Sequence, residues 1–238
     1  MREREYYENW LKRGFTNLEI TPFGLPLEKV IHIVSQRILE HYREGKLYSG
    51  DIPLKLDEAE PLGVWPRLIQ ADVKGELKYF VSKFERNQGF TKKQFLDLPD
   101  VSFPGYLVYL REQNLKIPRQ GQGKTIGERK QMETNQTAQE YLHLFLGEKT
   151  RGLTPEDYLT FFLTHLEETN QVTDDLDEGG ACFCVGAFHE PTGFVPDSYW
   201  GREYLQLTLG VGPSDKTAPN VGARPVVEIG NRKLLYSR

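Results

Sequence analysis

The chain has 238 residues, of which 38% are hydrophobic and 12% aromatic, with a net charge of −4. That composition excludes a charge-dominated disordered chain and is enough for a sizeable core. The acidic balance gives no general electrostatic footprint for nucleic acid, and no window approaches the roughly 18 apolar residues of a membrane span.

The N-terminus, MREREYYENWLKRGF, is charged from residue 2 and lacks the apolar core of a secretory signal. A first helix is expected over 2–13, with Tyr6, Tyr7, Trp10 and Leu11 on one side and Gly14 as its stop. A second is expected over 26–43, where Leu27, Val30, Ile31, Val34, Ile38 and Tyr42 form one stripe after Pro26 and before Gly45. His32 and His41 flank that stripe and read as packing or surface residues, not ligands.

Residues 62–111 read as β-rich, with runs at VWPRLIQADV, LKYFVSKF and GYLVYLRE. Thr91-Lys-Lys-Gln94 has the form of a capping box and predicts a short helix before Pro99. Residues 113–136 are the longest polar stretch and are expected to form an exposed, mobile loop. Helices should then start at Thr137-Ala-Gln-Glu140 and Thr154-Pro-Glu-Asp157, where threonine caps and acids favour the positive helix end. The last third returns to strands at ACFCVGAF, YLQLTLGV and RPVVEI, with Leu234–Tyr236 offering a final hairpin partner. Clustered strands and clustered helices predict a single α+β domain with an antiparallel or mixed sheet, helices packed on one side, and a helical region over 1–45.

Four motifs bear on chemistry. PRQGQGKT at 118–125 ends like a phosphate loop, but Pro118 stands where the first glycine belongs, and proline offers no N–H and no positive φ. Asp175-Leu-Asp177-Glu begins like a calcium loop, but its fifth and twelfth places hold Gly179 and Gly186. Cys182-x-Cys184 with His189 lacks the second ligand pair of a zinc site, so the thiols read as reduced core residues. A catalytic Cys–His pair, with His189, His143 or His165, lacks any sign of an activated thiol. No cofactor or metal is therefore expected.

GEKTRGLTPEDYLTFFLTH, ACFCVGAFHE, GFVPDSYW and LGVGPSDKTAPNVGARPVVEI together resemble an uncharacterised bacterial family, a domain of unknown function, over about 135–229. The resemblance implies a bacterial, cytoplasmic protein and transfers no catalytic residue.

Two functional expectations follow. The first is a non-catalytic cytoplasmic binding or accessory protein of a bacterium or phage, because each catalytic pattern breaks at a required position. The second is a small-molecule hydrolase or transferase using His189, Glu190, Asp197 and Arg202, residue types suited to acid–base and anion work.

Overall fold

A computed structural model describes residues 3–114, 116–178 and 180–231. In chain order the elements are α1 (Glu3–Lys12), β1 (Phe15–Thr21), α2 (Leu27–Arg43), β2 (Tyr48–Ser49), β3 (Ile52–Pro53), β4 (Leu62–Val64), α3 (Leu68–Lys74) and β5 (Leu77–Tyr79). There follow α4 (Lys92–Leu96), β6 (Leu107–Glu112), β7 (Thr125–Ile126), β8 (Arg129–Lys130), α5 (Ala138–Glu148), β9 (Arg151–Gly152) and α6 (Pro155–Thr169). The chain closes with β10 (Ala181–Phe183), β11 (Ala187–His189), β12 (Phe194–Gly201), β13 (Gln206–Pro213), β14 (Val221–Ala223) and β15 (Pro225–Glu228).

This is an α+β fold built on two main sheets. The smaller is antiparallel, in the order β1-β6-β15-β9. The larger is mixed: β14-β10-β12-β11-β5, with β13 along the whole of β12 and β4 parallel to β13. Alternation of side chains along the strands sends residues to both faces. In the larger sheet Cys182, Trp200, Leu207 and Leu209 pack with α2, α3 and α6. Phe183, Val195 and Ala223 pack instead with Tyr141, Leu142 and Phe145 of α5. The smaller sheet likewise sends Leu107, Tyr109 and Val226 into the main core and turns Leu110 and Val227 toward Tyr6 and Trp10 of α1. The expected single covered side is thus refined: helices lie on both faces of both sheets, and one core runs from Phe23 to Val226.

The local signals hold where they are self-contained. Thr91, Thr137 and Thr154 each cap a helix, and Gln94, Glu140 and Asp157 return the bond to the cap's own N–H. Two strand expectations need correction. Of the run VWPRLIQADV only Val64 lies in a strand, as the last residue of β4. Leu68–Lys74 is a helix, because burial of Leu68 and Ala71 and a left-handed Gly75 at φ 71° outweigh its β-branched composition. The apolar run at 181–188 is two strands, not one. It breaks at Val185-Gly186, where the chain crosses Gly152 so closely that a Cβ on Gly186 would lie 2.6 Å from the Gly152 carbonyl oxygen. Gly186 N–H donates to Leu153 O at 2.9 Å and its carbonyl accepts from Phe80 N–H at 2.9 Å, so this crossing joins the two sheets.

The polar stretch 113–136 is not wholly exposed. It contains the β7–β8 hairpin, turned by Gly127 (φ 50°) and Glu128 (φ 68°), the positive angles of a two-residue type I′ connection. Arg129 is buried and pairs with Glu112 and Glu148; Gln131 and Thr134 are buried too. Val226 and Val227 of β15 are fully buried, as expected of a core strand. The hairpin partner anticipated at 234–236 lies outside the described residues.

Candidate functional site

A cavity of about 650 Å³ opens where three connections meet. The first is the tight turn Ser49–Ile52 between β2 and β3. The second is the arm from Asn114 to Lys124 that leaves β6. The third is the segment from Val172 to Gly180 that links α6 to β10. His165 of α6 and Gln131 complete the lining. The volume lies within the range of small-molecule sites.

The arm is the PRQGQGKT stretch of the sequence, and its geometry is not that of a phosphate loop. Thr125 opens a strand, where a phosphate loop requires a helix. The Gly121 and Gly123 amides both donate to the carboxylate of Glu133, at 3.0 and 2.8 Å, and the Lys130 ammonium lies 2.9 Å from the same carboxylate. The two amides and the ammonium hold the Glu133 carboxyl down at about 2. An internal carboxylate thus occupies the concavity of amides that an external anion would need. Gln131 secures the next residue, accepting from Lys124 N–H through its side chain at 3.1 Å and donating its own N–H to Lys124 O at 2.9 Å. The side chains of Lys116, Arg119 and Lys124 line the cavity and are exposed. None of the three has an ion-pair partner among the described residues.

The lining from the 172–180 segment is acidic. Asp174 makes a bidentate pair with the partly buried Arg224, at 2.6 and 2.7 Å. Asp174 itself sits at φ 52°, in the left-handed region. Asp175, Asp177 and Glu178 gather around the one guanidinium of Arg202, at 2.7, 3.7 and 3.2 Å. Three carboxylates on one cation leave net negative charge there. Asp51, exposed on the turn, carries no ion pair among the described residues and adds to it. His165 is held below its usual value by burial and by Arg111, so it is neutral at pH 7.

The four residues anticipated as a catalytic cluster make no hydrogen bond or ion pair to one another among the described residues. His189 ends β11, with Nδ1 2.8 Å from Thr192 Oγ1, Nε2 3.8 Å from Glu76 and its ring against Trp65. Glu190 accepts from Asn87 N–H at 2.7 Å and lies 3.6 Å from Lys78. His189 pairs with Phe194, the first residue of β12. Asp197 is three residues along that strand. Arg202 lies just past its last residue, Gly201, which is about 23 Å from Phe194 at roughly 3.3 Å per residue. Asp197 faces Phe183 and the bare backbone of Gly210 and Gly212, and burial pushes its carboxyl up to about 6. Arg202 alone adjoins the cavity, through the acidic turn.

Cys182 and Cys184 are unpaired and fully buried, and burial raises both thiols, Cys182 to about 12. A thiol so raised stays protonated near neutral pH and is a poor nucleophile. The acidic turn that resembled a calcium loop spends its carboxylates on Arg202. Residues that the sequence did not single out as site residues are Asp51, Glu133 and Thr173. No sequence signal marks them, since the cavity gathers chain segments tens of residues apart.

Comparison with protein-family models, with curated proteins and with solved structures finds no match. The geometry therefore carries the functional reading by itself.

Proposed function

We propose that the chain is a non-catalytic binding or accessory protein of a bacterium or phage, and that the cavity between the 114–124 arm and the 172–180 segment is its ligand site. The observation that carries this is one cavity lined both by bases without ion-pair partners among the described residues and by a cluster of acids. The reading as cytoplasmic rests on two buried, unpaired thiols. The reading as bacterial rests on the resemblance over residues 135–229. No nucleophile with an adjacent base lines the cavity among the described residues.

A small-molecule hydrolase or transferase is the second reading. One observation favours it: the Asp197 carboxyl, at about 6, titrates where a general acid or base works best. Its weakness is that His189, Glu190 and Arg202 hold other partners.

The test is native mass spectrometry of the protein after incubation with a bacterial small-molecule extract. The parent should retain a compound in stoichiometric amount. Lys124→Glu and Asp51→Lys, both at exposed positions, should lose it while melting like the parent. Retention that neither variant reduces would refute the cavity as the site. Conversion of the retained compound with time, abolished by Asp197→Asn, would favour the enzyme reading instead.

A further inference from the structure

The two walls of the cavity differ in charge and do not neutralise each other. Lys116, Arg119 and Lys124 stand on the arm side. Asp51, Asp175 and Glu178 stand on the other, and the ion pairs made by Asp174, Asp175 and Glu178 run behind the wall to Arg224 and Arg202. No ion pair crosses the cavity among the described residues. The bases of the arm are thus left with charge that a ligand can meet, and Asp51 is left likewise on the acidic side.

The arm does not need a ligand to hold its shape. Its backbone is fixed by the Glu133 carboxylate and by Gln131, and the adjoining hairpin is anchored through the buried Arg129. The far wall is fixed by the bidentate Arg224–Asp174 pair. Both charged rims are therefore presented in advance by built structure, which lowers the ordering cost of binding. The lining also carries neutral hydrogen-bonding groups: Asn114 and Gln122 on the arm, Thr173 on the acidic segment, and Gln131 and the neutral His165.

We infer that the cavity takes a zwitterionic ligand, whose anionic end meets Lys116, Arg119 and Lys124 and whose cationic end meets Asp51 and the acidic turn at 175–178. A short peptide with free termini has this chemistry, with amide groups suited to the polar middle. A wholly anionic ligand would meet the acidic wall, and a wholly cationic one the basic arm; each mismatch costs affinity through like-charge contact. The inference rests on the cavity being the ligand site.

Three probes of one length separate the possibilities: tetraglycine, its N-acetyl derivative, which keeps only the carboxylate, and its C-terminal amide, which keeps only the ammonium. Binding is read by titration calorimetry and by amide chemical-shift changes at Lys116, Arg119 and Thr173. Tetraglycine should bind at least tenfold more tightly than either derivative, a difference of about 1.4 kcal/mol. Lys124→Glu should weaken tetraglycine and the N-acetyl form about tenfold and leave the amide unchanged or improved. Asp51→Lys should do the reverse. Equal binding of all three forms, or preference for a singly charged one, would overturn the zwitterion while leaving the cavity as a binding site. Binding by none of them would also overturn it. The extract experiment described for the cavity still decides, independently, whether the site binds anything.

Discussion

The Glu133 carboxylate accepts the Gly123 amide at 2.8 Å, and its other oxygen accepts Gly121. The glycine arm is thus closed on an anion of its own chain. Excess Mg-ATP should leave the melting temperature unchanged, in the parent and in Lys124→Ala alike. A ligand at 100 times its Kd would stabilise by about 2.7 kcal/mol, which a melting curve resolves readily. Glu133→Ala should speed hydrogen exchange at Gly121 and Gly123. Because the carboxyl sits at about 2 when folded, below its ordinary value, its contribution is complete above about pH 4.5 and fades as pH falls toward 2. Protection of these two amides in the parent should fade over that same window.

Asp197 has the opposite sign. Folding raises its carboxyl to about 6 by burial, so the folded chain holds the proton more tightly than the unfolded chain does. Stability on this account falls as pH rises from about 4 to 6, and the whole cost remains above 6. Asp197→Asn should raise stability at pH 7.5 by about 1–2 kcal/mol and make no difference near pH 3.5. Chemical denaturation at the two pH values checks this; equal effects at both would contradict it.

Arg151 sits between Asp157 and Glu228, at 2.6 and 2.7 Å, and both carboxylates are fully buried. Arg151→Ala leaves two acids without their cation. The expected loss is about 3–5 kcal/mol, the usual result of removing one partner from a buried pair. The loss should shrink as pH falls, because burial already raises Glu228 and protonation removes the repulsion. Urea unfolding at pH 7 and pH 4.5 measures both.

Neither Cys182 nor Cys184 should react with a thiol reagent in the native state, and both should react at once in denaturant. A thiolate is the reacting species, and burial disfavours it at both positions. Modification of either thiol at the pace of an exposed cysteine, without unfolding, would contradict the core placement.

Limited trypsin digestion should cut after Lys116 and Arg119 on the exposed arm and spare Arg129, whose guanidinium is buried against Glu112 and Glu148. Early cleavage at Arg129 would show that the hairpin opens more readily than its contacts imply.

Most helices were legible because their signals are local. Thr91, Thr137 and Thr154 each carry a cap and its return bond within four residues, and the α2 stripe repeats along one element. What failed was set from a distance. The helix at Leu68–Lys74 depends on what Leu68 and Ala71 pack against. The break at Val185-Gly186 depends on Gly152, more than 30 residues earlier. The cavity was illegible for the same reason: Asp51, Lys124 and Thr173 meet only after the sheets are assembled. The polar stretch at 113–136 read as loop because Arg129 and Gln131 are polar, and composition does not reveal a partner such as Glu148 or a backbone amide.

The crossing of Gly152 and Gly186 has a kinetic consequence. A side chain on Gly186 would force the backbones apart, its Cβ lying 2.6 Å from the Gly152 carbonyl oxygen, and one on Gly152 would meet Val185 Cγ2 at 2.1 Å. The two strands are welded at that point, and the sheets that carry the cavity's two walls have no hinge there. The arm leaves the smaller sheet through β6, and the acidic segment enters the larger through β10. On the proposed reading of the cavity, a ligand would enter a mould already set, with no jaws closing upon it. Association should follow a single exponential whose rate stays proportional to ligand concentration, without the plateau that a slow closing step imposes.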